Sequence, residues 1–191
     1  MLNIVIFGAP GSGKGTQSDK IIAEYGVEHI STGDVLRGEI KNNTELGKTA
    51  AMYINDGKLV PDSLIIDMLA ATLDAKGKNI KGVIFDGFPR TIAQAEALNA
   101  MLAERGQAVS TVIGLEVEDA ELIKRIILRG QTSGRADDNE ETIKKRFAVY
   151  HAQTEPLAEW FEKEGMRHTF TWKGSKDEML GEIFAFLDTL K

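Results

Sequence analysis

Residues 2–17 read LNIVIFGAPGSGKGTQ, in which a short apolar run enters four closely spaced glycines, Gly8, Gly11, Gly13 and Gly15, and one lysine, Lys14. A strand that turns through such glycines into a helix makes a cradle for phosphate. Without side chains, backbone N–H groups close around anionic oxygens, and the positive end of the following helix dipole adds to their pull. Lys14 would then supply a full charge to the outer phosphates. A simple strand-to-helix turn needs neither that density of glycine nor a lysine at that position. One detail departs from the general pattern G-x-x-x-x-G-K-[ST]: Gly15 follows the lysine, and the hydroxyl comes one residue late, at Thr16. If the loop holds a nucleoside triphosphate, the usual hydroxyl ligand for its metal is displaced.

The rest of the chain repeats the strand-then-helix grammar. NIVIF, VIFD, TVIGLEV and HTFTW are strand candidates, with VEHIS a weaker fifth. Between them KGTQSDKIIAEYG, DSLIIDMLAATLDAKG, TIAQAEALNAMLAERG and DAELIKRIILRG carry helical spacing. Gly106 and Gly130 fit C-terminal caps of two of these. Strand–helix alternation predicts an α/β fold, a parallel sheet flanked by helices, with ligands beyond the carboxyl ends of the strands. Ser31 to Leu73 interrupts the alternation with successive helices, which predicts a helical insertion beside the sheet. GQTSGRADD, Gly130 to Asp138, reads as an irregular connection between two helices.

At 191 residues, with no repeat and no Pro/Gly/Ser linker, the chain suits a single domain over 1–191. A net charge of −6 argues against broad nucleic-acid binding, although a local basic cluster can still handle phosphates. With no cysteine, disulfides, thiolate zinc sites and thiol nucleophiles are excluded. The N-terminal apolar stretch is too short for a signal peptide and no other segment suits a bilayer, so a cytoplasmic location is the default expectation.

Three further groups of residues carry chemistry. VIFDGFPR places Asp86 at the end of a buried strand, where an acidic partner of magnesium belongs in nucleotide-transferring folds, with Arg90 four residues on; Asp86 equally suits a loop cap. STGDVLR brings Thr32, Asp34 and Arg37, and Ser31 or Thr32 also suits a helix N-cap. Arg125 and Arg129 share one helical face, with Arg135 and Arg146 following. Surface arginines are commonly solvated, but four near a phosphate loop in an acidic chain suit an enzyme that stabilises spread negative charge. Asp138 with Glu141 fits a capping box, which leaves room for a catalytic role of Asp137 or Asp138.

Taken in order, GAPGSGKGTQ, ISTGDVLR, DGKLVPD, FDGFPRTIAQAE, LIKRI, GRADDNEETIKKR and VYHAQTEPL cover nearly the whole chain and resemble the adenylate kinase family of nucleoside monophosphate kinases. The resemblance implies magnesium-dependent, reversible phosphoryl transfer between ATP and AMP, giving two ADP. It implies a core with an AMP-binding insertion over 31–60 and a mobile lid over 129–137. With so few residues between Arg129 and Arg135 and no cysteine, the lid resembles the short type, without zinc.

Carried over residue by residue, the resemblance assigns Gly11, Ser12, Gly13, Lys14, Gly15 and Thr16 to ATP phosphates, with Arg125 and Arg129 reaching them and Lys176 near the adenine. It assigns Thr32, Arg37, Lys58, Leu59, Val60, Gly87, Phe88, Pro89, Arg90 and Gln94 to AMP. Arg135 and Arg146 would bridge both nucleotides. The catalytic set is then Lys14, Arg90, Arg125, Arg129, Arg135 and Arg146, with Asp137 and Asp138. Magnesium would be held mainly by phosphates and waters, anchored through Asp86, Asp34 and Thr16, so the late hydroxyl is a family mark. A cis Phe88–Pro89 bond and a monomer are also implied. The nearest alternative is a UMP/CMP kinase of the same fold, which typically carries alanine in place of Thr32 and asparagine in place of Gln94. A nucleotide-operated switch is a more distant one, and the chain has no N-K-x-D guanine motif.

Overall fold

All five expected runs form strands: β1 (Leu2–Gly8), β2 (Glu28–Ser31), β3 (Gly82–Asp86), β4 (Thr111–Glu116) and β5 (Arg167–Thr171). In the computed structural model, which describes residues 1–77, 79–135 and 138–190, they build one parallel sheet in the order β2-β3-β1-β4-β5. The helices are α1 (Lys14–Tyr25), α2 (Thr32–Lys41), α3 (Glu45–Ile54), α4 (Asp62–Ala75), α5 (Ile92–Ala103), α6 (Asp119–Ser133), α7 (Glu140–Val149), α8 (Glu155–Lys163) and α9 (Lys176–Asp188). A π-helical turn at Tyr150–Thr154 joins α7 to α8. Among the described residues no helix is long and apolar enough to cross a membrane.

The continuous apolar character of β1 follows from burial on both faces. Val5 and Phe7 point to one side, with Val83, Phe85 and Val112, against α4, α5 and α8 through Leu69, Leu98, Leu102 and Phe161. Ile4 and Ile6 point to the other, with Ile84 and Ile113, against α1 and α9 through Ile21, Met179, Ile183 and Leu187. A smaller cluster, Ala9, Leu122, Ile126, Ile143 and Phe147, anchors the glycine loop to α6 and α7.

Register then places the motifs. Ile6 and Ser31 both stand opposite Asp86, and Gly8 stands opposite Leu115, so the three motif-bearing loops leave the sheet at one edge. The interruption of the alternation is α2, α3 and α4, three successive helices as expected.

Two local expectations divide. Gly106 follows α5 with φ +67°, and the next N–H, that of Gln107, reaches back to the Leu102 carbonyl, so it does end the helix. Gly130 does not. α6 continues to Ser133, and the left-handed cap is Gly134 at φ +63°. Gly130 is small for another reason: a Cβ there would lie 2.6 Å from the Asp138 carbonyl oxygen.

Close backbone approach also explains Gly47. An added Cβ would fall 2.1 Å from the Glu39 carbonyl oxygen, so α3 packs on α2 with no space for a methyl group. Gly38, inside α2, has nothing within 4 Å of such a Cβ. Gly47→Ala is therefore expected to destabilise the protein by about 1–3 kcal/mol through overpacking. Gly38→Ala is expected to stabilise it by about 0.5–1 kcal/mol by removing helix-interior glycine. Urea unfolding of the two variants checks the opposite signs.

Candidate functional site

The glycine loop leaves β1 and ends in α1, whose N-cap is Gly13 at φ +97°. No side chain caps this helix, so its first turn presents backbone donors to whatever lies in front of it. Only glycine takes that left-handed geometry without strain. Gly11, at φ +84°, also lets the loop lie against α6, since a Cβ there would meet Ile126 at 2.8 Å. Ser12 is buried beneath the loop, which leaves its backbone as its available contribution.

Lys14 turns back over this loop, its Nζ donating to the Gly8 and Ala9 carbonyls at 2.9 and 3.2 Å. The residue is partly accessible, but its ammonium end is sunk among carbonyls. Desolvation there, opposed by Asp86 and reinforced by Arg90, Arg146 and Arg129, lowers its pKa to about 8.

Asp86 stands at the end of β3, largely buried. Burial opposes its ionisation, but His29, Lys14 and Arg90 together hold its carboxyl below the usual range. The His29 Nε2 lies 3.6 Å from Asp86 Oδ2, an ion-pair separation longer than a hydrogen bond, and the carboxylate raises the histidine's pKa. His29 was not among the expected site residues. Its only sequence signal was its position two residues before Ser31 in a weak strand.

The STGD segment resolves its two open readings. Ser31 is the N-cap of α2, its hydroxyl accepting from the Asp34 N–H at 3.2 Å. Thr32 is left to donate to the Asp86 carbonyl at 3.4 Å. Asp34 accepts from Arg37 and lies 3.7 Å from Arg135.

The expected capping box at Asp138 does not form. Asn139 is the N-cap of α7, accepting from the Thr142 N–H, because the Asp138 carboxylate is engaged elsewhere. Its side chain is fully buried and takes two 2.7 Å bonds from Arg129 and one of 3.3 Å from Arg146. Burial works against this carboxylate's charge, and Arg129 with Arg146 and Arg135 overcomes it, leaving the pKa below normal. Asp137 lies outside the described residues. Arg125 bonds Glu121 at 2.8 Å and stacks 4.1 Å over the Trp172 ring, a second residue that no motif marked.

Two spaces result. An open cleft is lined by Gly11, Gly13, Lys14, Gly15, Thr16, Asp34, Asp86, Arg125, Arg129, Arg135 and Lys176. A narrower pocket is lined by Thr32, Lys58, Leu59, Val60, Phe88 and Gln94, with apolar walls from Leu36, Ile54 and Ile65. Arg37, Gly87, Arg90 and Arg146 line both. Phe88–Pro89 is cis, and Pro89 lines a third recess beside Lys14. Lys58 points outward to Asp56 at 2.6 Å, and the Lys176 carbonyl accepts a long, 3.5 Å bond from Gln17. Such a concentration of cations repels itself: Arg135 is pushed below its ordinary pKa by burial and by Arg37 and Arg129. An anionic ligand relieves that repulsion.

This has a measurable sign. A bound polyphosphate restores the charge of Lys14, so binding takes up protons near pH 8 and weakens as pH rises through that value. Calorimetric titration with a nucleoside triphosphate in buffers of different ionisation enthalpy is expected to show uptake of about half a proton at that pH. Lys14→Met is expected to abolish the uptake.

The adenylate kinase family model matches residues 6–166. The adenylate kinase of Phocaeicola vulgatus is 63% identical over 190 residues, covering 100% of both chains, and that of Bacteroides thetaiotaomicron is 62% identical with the same coverage. The adenylate kinase of Porphyromonas gingivalis is 51% identical, over 100% of this chain and 98% of its own. Identity at this level along the entire length, with a family match over most of the chain, makes this chain a member of the adenylate kinase family.

Proposed function

We propose that the protein transfers the terminal phosphoryl group of ATP reversibly to AMP, giving two ADP, with the larger cleft taking ATP and the narrower pocket AMP. The observation that carries the assignment of the two sites is the set of arginines they share, Arg37, Arg90 and Arg146, beside Lys14. A group moving from one nucleotide to the other passes a continuous row of fixed cations. Phosphoryl transfer needs little covalent chemistry from the protein, and positioning with charge stabilisation supplies most of the rate.

In this reading the first turn of α1 and Lys14 hold the β- and γ-phosphates, while Arg125 and Arg129 steady the triphosphate. Asp138 pre-orients Arg129 and Arg146, so their guanidinium planes are set before substrate arrives. Arg37 and Arg90 hold the AMP phosphate, Arg135 closes from the lid, and Thr32 and Gln94 contact the base. The insertion over 31–60 and the lid over 129–137, of which 136 and 137 lie outside the described residues, act as the moving parts that exclude water.

Magnesium fits as part of the ATP substrate. Among the described residues no group of three or more His, Cys, Asp or Glu side chains stands close enough to cage a metal. Asp86, Asp34 and Thr16 are oxygen donors that line the cleft and are suited to orienting the hydration waters that magnesium keeps. Bound there, magnesium neutralises phosphate charge. The chain offers no thiolate for zinc.

Gln94 and Thr32 in the base pocket favour AMP over the pyrimidine monophosphates, and the relatives are named adenylate kinases rather than UMP/CMP kinases. Arginines supplied in cis favour an enzyme over a switch that waits for a partner. We also infer a cytoplasmic monomer acting on free nucleotides, without nucleic acid or membrane, since one acidic chain lines both pockets.

A coupled assay is expected to detect ADP only when ATP, AMP and magnesium are all present; free phosphate released without AMP would overturn the reading. Lys14→Met is expected to leave a folded protein with little transfer, because its charge is needed more in the transition state than in the ground state. Thr32→Ala with Gln94→Asn is expected to lower the kcat/KM ratio of AMP over CMP. Arg135→Lys keeps the charge but loses the planar fork. It is expected to lower kcat about 100-fold, roughly 2.7 kcal/mol, with a smaller change in ATP affinity measured without AMP.

A further inference from the structure

Gln94 is 2% exposed, and both ends of its amide are engaged. Its Oε1 accepts from the Arg90 backbone N–H at 2.7 Å, and its Nε2 donates to Asp62 Oδ1 at 2.6 Å. The chemistry of these partners permits one orientation only. A backbone N–H can only donate and an ionised carboxylate can only accept. Turning the amide over would set NH₂ against N–H and oxygen against carboxylate. The fixing residues come from different elements. Gln94 is the third residue of α5, its own N–H bound to the Thr91 hydroxyl at 3.2 Å, while Asp62 is the first residue of α4. Asp62 does not line the base pocket.

We propose that Asp62 is a specificity-determining positioning residue, which locks the Gln94 amide so that the pocket accepts a 6-amino purine and rejects a 6-oxo purine. The inference rests on the assignment of this pocket to the base of AMP. With the amide locked, Oε1 keeps one free lone pair and Nε2 one free hydrogen. Adenine presents an amino donor beside a ring-nitrogen acceptor and matches that pair. Hypoxanthine presents an oxygen acceptor beside an N–H donor, which matches the overturned amide instead. Rejecting it requires that the amide stay put, and a buried site with mismatched polar groups discriminates strongly. Asp62 thus acts on the choice of base without touching the nucleotide.

The test is kcat/KM for AMP and for IMP, with MgATP as donor, in the wild-type protein, Asp62→Leu and Asp62→Asn. Asp62→Leu removes the acceptor and is expected to lower the AMP/IMP ratio about tenfold, or about 1.4 kcal/mol. Asp62→Asn, an isosteric change whose amide can serve either orientation, is expected to lower it by a smaller factor. In a Gln94→Ala background, Asp62→Leu is expected to leave the ratio unchanged. A merely structural Asp62 would slow both nucleotides alike, so an unaltered ratio in both single variants overturns the proposal. A fall of equal size in the Gln94→Ala background also overturns it, since the effect would not pass through Gln94. A wild-type protein with no preference for AMP over IMP overturns the base-pocket assignment itself, and the lock with it.

Discussion

Parallel pairing of β1 with β3 on one side and β4 on the other is the constraint from which the site follows. Because Ile6 stands opposite Asp86, and Asp86 opposite Ser31, the glycine loop, the DGFPR turn and the STGD helix start leave the sheet side by side. A slip of one residue would turn Ile4 and Ile6 onto the face now occupied by Val5 and Phe7 and would disrupt both cores. The apolar burial that holds the register therefore also holds the geometry of the charged cleft.

Around that cleft the dominant electrostatic fact is crowding of like charge. Arg90, Arg129 and Arg146 lower the affinity of Lys14 for protons, and Arg37 and Arg129 lower that of Arg135, in a chain whose net charge is −6. Three carboxylates hold the array together. Asp138 is buried under Arg129 and Arg146, Asp34 takes Arg37 and stands near Arg135, and Asp86 faces Lys14 across the loop. A cation array restrained in this way is preorganised for phosphate, because its repulsion is met before binding and relieved by it. Isolated surface pairs would contribute little, but a buried carboxylate between two guanidiniums fixes orientation as well as charge.

The same division of labour appears in the base pocket. Apolar walls from Leu36, Ile54 and Ile65 give it shape, and the Gln94 amide, held by the Arg90 backbone and Asp62, gives it a fixed polar contact. These walls belong to α2, α3 and α4, the helices that break the strand–helix alternation, and Gly47 lets two of them approach at backbone distance.

The elements and the motifs were legible in the amino-acid order, because they depend on short-range spacing. Short apolar runs marked all five strands, glycines with Lys14 marked the phosphate loop, and the order of motifs pointed to the family. Local reading failed where a residue's role depends on a distant neighbour. Gly130 looked like a cap and is instead a space for the Asp138 backbone; Asp138 looked like a cap and is instead the anchor of Arg129. The pairings of His29 with Asp86, Arg125 with Trp172 and Asp62 with Gln94 were not marked by the linear spacing. These pairs form only on folding, since side chains separated by tens of residues meet through strand register and helix packing. A hydrogen bond or ion pair is a matter of ångströms that no local pattern encodes.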